Sequence, residues 1–265
     1  SVIMQMIGFG LVVLLNDEKL ALTITFLLVG LWWVSFAQVT FSRLPGSPAS
    51  ERKTKKHALV NGFHELKKVW NQVKHMKELK RYLTAFFFYS MGVQTVMLVA
   101  IDFGIKELKL ENTQLIITAV IIQVVAIGGA IGMSRLSALF GNIKVLSLTV
   151  SLWIGVCIAG YFMQTEVHFY IIASLVGLVM GGIQSLSRST YSKLMPETKD
   201  TASFFSFYDV TEKIAIVIGL FSFGIIEGLT HNMRNSILVL VIFFVLGLFF
   251  LILTYLTQKK ETKTL

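Results

Sequence analysis

Eight runs of mostly apolar residues dominate this chain, at roughly 1–15, 20–42, 82–103, 113–133, 144–163, 168–188, 205–228 and 235–257. A helix that crosses a bilayer needs about 20 apolar residues. The pattern therefore predicts an all-α membrane protein with about eight transmembrane helices. Only 15% of the residues are charged, against about 25% in a soluble domain. The net charge of +9 sits in loops between apolar blocks, where membrane topology explains it, so no nucleic acid is expected as a partner. The one cysteine, Cys157, lies inside an apolar block, so no intrachain disulfide and no metal cluster are expected. No Walker, HExxH, CxxC or GxSxG sequence is present, so neither an enzyme nor a cofactor is expected. The chain is apolar from Ser1 and shows no basic n-region or cleavage site. A truncated polytopic protein is expected in preference to a signal peptide.

Most joining segments are short. The exception, 43–81, holds eleven Lys and Arg against three Glu. A segment this basic is expected on the cytoplasmic side. The same orientation gives cytoplasmic 134–144 and 189–204 their Arg135, Lys144, Lys193 and Lys199, and the tail 258–265 its Lys259, Lys260 and Lys263. The opposite loops then hold Asp17, Glu18, Asp102, Glu107, Glu111 and Glu166, against fewer cations. A cytoplasmic C-terminus follows.

The basic segment has two parts. RLPGSPASERKTKK reads as a flexible linker. From Asn61 onward, Phe63, Leu66, Trp70, Val73 and Met76 recur at three and four residues with Lys67, Lys68, Lys74 and Lys77 between them. That pattern predicts a basic amphipathic helix on the cytoplasmic membrane surface. Two helices precede the segment and six follow it, which divides the chain into 1–42, the linker 43–81, a six-helix bundle at 82–257 and the tail. Gly128 with Gly132, and Gly177 with Gly181, have small-xxx-small spacing and are expected at helix contacts.

Ionisable groups interrupt the later blocks. Only about 13 uncharged residues separate Lys213 from Glu227, roughly 20 Å of helix against a core of roughly 30 Å. Asp209, Glu212 and Lys213 share a helical face, and Arg188 ends the preceding block. With Asp200 or Thr201 as N-cap, these charges are expected near the cytoplasmic mouth. One reading is a solvated cluster with Lys213 snorkelling outward. The other is a gating or coupling site in which Arg188 pairs with Asp209 or Glu212. A carboxylate shielded from water is harder to ionise and can carry a proton. Gln94, Gln123 and Gln184 sit inside other blocks, with Tyr89, Ser90 and Thr95 near the first. They are candidates for a substrate cavity, with interhelical hydrogen bonding as the alternative.

GVQT at 92–95, GLVMGGIQSLSRSTYSKLMP at 177–196, FFSFYDVTEKIAIVIGLFSFG at 204–224 and RNSILVLVIFFVLGL at 234–248 resemble the vacuole-effluxer-like branch of the major facilitator superfamily. The resemblance implies a twelve-helix secondary transporter working by alternating access. This chain would supply the last two helices of the N-terminal bundle and the complete C-terminal six, so the fold is a partial major facilitator fold. It implies a small solute as substrate, with an amino acid as one candidate because fungal relatives are associated with amino-acid efflux. Protons are a candidate coupling ion. A bacterial inner membrane is the expected location. Two departures stand out. RLSALFG at 135–141 has Ala138 and Leu139 where the superfamily carries an acidic–basic pair, and Ser90 and Met91 stand where many relatives have an acidic residue. Both shift weight to Arg188, Asp209 and Glu212. The rival reading is a non-transporting membrane scaffold or receptor, whose polar residues would be scattered and packed rather than convergent.

Overall fold

The computed structural model describes residues 2–15, 17–43, 58–198 and 200–264. Every regular element among them is a helix: α1 (Val2–Leu14), α2 (Glu18–Arg43), α3 (Ala58–Val73), α4 (Lys77–Leu108), α5 (Asn112–Phe140), α6 (Asn142–Tyr161), α7 (Glu166–Leu194), α8 (Thr201–Thr230) and α9 (Met233–Thr264). Seven of them, α2 and α4 to α9, are long and apolar enough to cross a membrane. The first apolar block forms α1, of 13 residues. The proline-bearing linker falls mostly outside the described residues.

Local chemistry sets the helix ends. Lys109 (φ 55°) closes α4 in the left-handed region, and its N–H reaches Gly104 O. Glu111 then opens α5, its N–H donating to Gln114 Oε1 at 2.8 Å. Gly141 at φ 89° ends α5 and starts α6, a conformation open to glycine because it lacks Cβ. Thr165 caps α7 by accepting from the His168 N–H at 3.3 Å. His231 (φ 50°) closes α8. The helices overrun the apolar blocks, α4 beginning at Lys77 rather than near 82, because polar turns outside hydrocarbon continue the same backbone hydrogen bonding.

The chain divides into two compact units, Ser1–Leu59 and Val60–Leu265. In the first, α1 and α2 pack as a hairpin, with Gly8 closely apposed to Thr25.

In the second unit, the substantial helix pairings are α4 with α7, α8 and α9; α5 with α6 and α7; α6 with α7 and α9; and α8 with α9. Exchanging α4 with α7, α5 with α8 and α6 with α9 maps this set onto itself. The six helices thus form two three-helix repeats. α4 runs antiparallel to α7, since Tyr82 near its start donates to Ser187 O near the end of α7 at 2.6 Å. The repeats are therefore inverted, a common plan among membrane transport folds. One end of the bundle gathers Lys77, Lys80, Arg81, Arg135, Lys144 and Lys193, and the other gathers Asp102, Glu107, Glu111, Glu166 and Glu227. Leu98, Ile101, Ile127, Ile131, Val217, Phe221 and Phe249 are exposed on the outside. An apolar surface this extensive suits lipid rather than water.

Backbone approach fixes α5 on α7. A Cβ on Gly181 would lie 2.1 Å from Ala126 O, one on Gly177 2.5 Å from Ile122 O, and one on Gly129 2.1 Å from Leu178 O. The expectation for Gly177 and Gly181 is met, but that for Gly128 and Gly132 is not. Nothing lies within 4 Å of a Cβ at either. Gly129, one residue on, is turned about 100° to the α7 side. Gly181→Leu is expected to cost more than about 3 kcal/mol, because carbonyls cannot give way as side chains do. Gly128→Leu should change stability by no more than about 0.5 kcal/mol. Thermal unfolding of the two variants in detergent micelles checks the contrast.

Candidate polar cavity between three helices

α4, α7 and α8 line a half-open cavity of about 830 Å³. Its floor and walls are built from the residues that an apolar helix tolerates least. On α8, Glu212 lies about 17 Å along the axis from Thr201. Its Oε1 accepts from Gln94 Nε2 at 2.7 Å, and Gln94 stands about 26 Å into α4. Nearer the basic end, Arg188 Nη2 donates to Asp209 Oδ1 at 2.8 Å. Its guanidinium also lies 5.9 Å from the ring centroids of both Phe205 and Tyr208, within the range where a ring face attracts a cation.

Tyrosines fasten α4 to α7 behind these groups. Tyr82 and Tyr89 are seven residues apart and share a face of α4. Tyr82 donates to Ser187 O, and the Tyr89 hydroxyl is 2.7 Å from Ser187 Oγ. Both tyrosines are almost fully buried. Tyr191 of α7 donates to Phe204 O at 2.7 Å and so ties α7 to the first turn of α8. Ser187 and Arg188 are adjacent, so the tyrosine node sets the root of the arginine. Phe86 stacks on Tyr208 with ring centroids 4.1 Å apart, and both line the cavity.

Of the residues singled out from sequence, Tyr89, Gln94, Gln184, Arg188 and Glu212 line this one cavity. Asp209 joins it through Arg188. Lys213 is exposed and does not line the cavity. Gln123, on α5, does not line it either, and its Oε1 is buried with no hydrogen-bond partner among the described groups. Glu212 lies level with Gln94, which its carboxylate meets. Ser187, Phe86, Phe205 and Tyr208 were not singled out. The signal for the node was the Tyr82–Tyr89 spacing, since a tyrosine inside an apolar helix needs a partner for its hydroxyl. Asp200 takes the expected N-cap position of α8, but its side chain bonds no backbone N–H there. It accepts from Ser203 Oγ at 2.6 Å instead. That hydroxyl, and after it Lys68, hold the Asp200 carboxyl below its usual range.

Aromatic walls and a few fixed polar groups are what orient a small molecule in a pocket. Among the described residues, no group of three or more His, Cys, Asp or Glu could hold a metal ion.

A family model described as "Vacuole effluxer Atg22 like" matches residues 1–264. A protein of Bacillus subtilis called "Uncharacterized MFS-type transporter YxiO" is 28% identical over 99% of this chain and 61% of its own length. "Autophagy-related protein 22" of Yarrowia lipolytica is 27% identical over 94% of this chain and 47% of its own length. The protein of the same name from Kluyveromyces lactis is 29% identical over 88% of this chain and 51% of its own length. The chain thus spans about half to three-fifths of the length of these relatives. No solved structure matches it.

Two energetic expectations follow from the geometry. Tyr89→Phe leaves the buried Ser187 hydroxyl without its partner and should cost about 1–2 kcal/mol in unfolding free energy. The Arg188–Asp209 pair is half exposed, with side-chain exposures of 60% and 49%. A double-mutant cycle with Arg188→Ala and Asp209→Ala should therefore give a coupling of only about 0.2–1 kcal/mol.

Proposed function

The chain belongs to the vacuole effluxer Atg22-like family, and from that premise we propose that it forms part of a secondary active transporter of a small solute. On this reading the six helices α4–α9 are the complete C-terminal bundle of a major facilitator fold, and α1 and α2 close the N-terminal one. The observation that carries the proposal is the convergence of Gln94, Gln184, Arg188 and Glu212, from three helices long and apolar enough to cross a membrane, on one cavity. Polar groups in hydrocarbon are costly. A scaffold would have no use for gathering them around a space, so the convergence favours transport over a scaffold or receptor. The two bundles of the whole transporter rock about the site, and helices from both inverted repeats of this bundle line it.

In this scheme Glu212 and Gln94 sit deepest and contact the solute, helped by Tyr89 and Gln184. Arg188 and Asp209 stand between them and the basic end. Making and breaking that pair biases the bundle between open and closed states. An amino acid is the solute class to test first and protons the coupling ion. The basic end faces the cytoplasm, which puts the C-terminus there. The membrane is the bacterial inner membrane.

The complete gene product, reconstituted in liposomes, should take up or release one member of a panel of amino acids and short peptides in response to an imposed pH gradient. Glu212→Gln is expected to reduce flux at least about 10-fold and to flatten its pH dependence, and Asp209→Asn to alter that dependence more weakly. Wild-type pH-dependent flux in both variants would remove the coupling role. A protein that binds panel members with no flux under any gradient would favour the receptor reading.

A further inference from the structure

We infer that α3 docks on the anionic headgroups of a phospholipid bilayer through Phe63 and Trp70, with Lys67 and Lys74 supplying the charge. The helix carries two apolar faces, and the bundle covers one of them fully and the other only in part. Val69 and Val73 are buried in the core of the second unit, and Leu66 is half-buried beside them. Phe63 and Trp70, seven residues apart, form the neighbouring face. Phe63 is 70% exposed, and Trp70 remains 47% exposed although its ring stacks on Phe207 at 6.1 Å. Lys67 and Lys74 fall on this same face, at spacings of four and eleven from Phe63.

The lysines are not equivalent. Lys68 is used inside the protein, 3.5 Å from Asp200 and 3.6 Å from Glu65. Lys74 donates to the neutral Asn71 Oδ1 at 3.0 Å, a contact that leaves its charge uncompensated. Lys67 is exposed.

Position selects the occupant. A tight turn joins α3 to α4, with Met76 N donating to Val73 O at 3.0 Å. The helix is therefore held at the end of a membrane-crossing segment. Lys77, Lys80 and Arg81, all exposed on the first turns of α4, extend the same basic strip. Aromatic rings beside lysines, on a helix fixed at this level, match an interfacial helix with a preference for anionic lipid. A soluble protein partner would find the aromatic pair at the level of the headgroups. The inference does not depend on transport. It requires only that α4 crosses the membrane.

The test uses the complete gene product with a nitroxide on Phe63→Cys. Cys157 is buried and leaves the new thiol as the reactive one in this chain. Immersion depth is read from collisions with oxygen and with a water-soluble nickel chelate. Two bilayers are compared: phosphatidylcholine alone, and phosphatidylcholine with phosphatidylglycerol. The label should enter the headgroup region only in the anionic bilayer. Lys67→Glu with Lys74→Glu should abolish that shift while leaving the label exposed to water. Equal depth in both bilayers would mean apolar anchoring without charge selection and would overturn the inference. So would a label fully in water in both, or one immobilised against protein. The lipid comparison needs no charge variant, so it decides the matter even if the double variant misfolds.

Discussion

A polar side chain within hydrocarbon must find its partner inside the protein, and the second unit is arranged around that constraint. Many serines and threonines meet it within their own helix, although Thr95 Oγ1 and Ser236 Oγ are buried with no partner among the described groups. Thr84, Thr118, Ser147, Thr149, Ser174, Thr190 and Thr254 each donate to a carbonyl four residues back on their own helix. They therefore place no demand on a neighbouring helix. Tyr82, Tyr89, Gln94, Arg188 and the carboxylates of Asp209 and Glu212 reach too far for that solution, and their partners lie across helix boundaries. Tyr82 and Tyr89 meet at Ser187, Gln94 at Glu212 and Arg188 at Asp209. The same requirement that fastens α4, α7 and α8 together also concentrates their chemistry on one space.

The tight contacts obey the inverted symmetry as well as the pairing pattern does. α5 lies against α7 through Gly129, Gly177 and Gly181, and α8, its counterpart, lies against α4 through Gly219. A Cβ on Gly219 would come 2.6 Å from Met91 O and 2.5 Å from Thr95 Oγ1. One interface is broad and backbone-to-backbone. The other is narrow and bordered by polar pairs. The repeats thus share a plan but differ in chemistry, with the ionisable groups gathered on the α4–α8 side.

Fold class was legible because apolar block length is a one-dimensional signal. So were the ends of the bundle, through the sign of the loop charges. The identity of most polar groups at the cavity was also legible, since an isolated Gln, Glu or Arg in an apolar run stands out. What escaped were quantities that depend on rotation and axial offset. Gly128 and Gly132 fit the spacing rule, but one residue changes a helical face by about 100°, and Gly129 is the one that faces α7. Gln123 looks like Gln94 in sequence but sits on the helix that does not reach the cavity. The partner of Glu212 depended on the axial offset between α8 and α4, which no local residue pattern specifies. The tyrosine node had a visible spacing, but its meeting point, Ser187, is one serine among several in SLSRSTYS.

The Gly219 contact has a mechanical meaning. α4 and α8 run parallel and are joined at two levels, by Gln94 with Glu212 at 2.7 Å and by Lys106 with Glu227 at 3.0 Å. On α4, Gly219 touches Met91 and Thr95, which flank Gln94, and Lys106 lies about 17–22 Å further along. The contact is therefore level with one clasp and far from the other. A tilt of α4 by about 10° around it would leave Gln94 nearly in place and carry Lys106 by roughly 3–4 Å, more than a hydrogen bond survives. The acidic end can thus loosen while the clasp at the cavity holds.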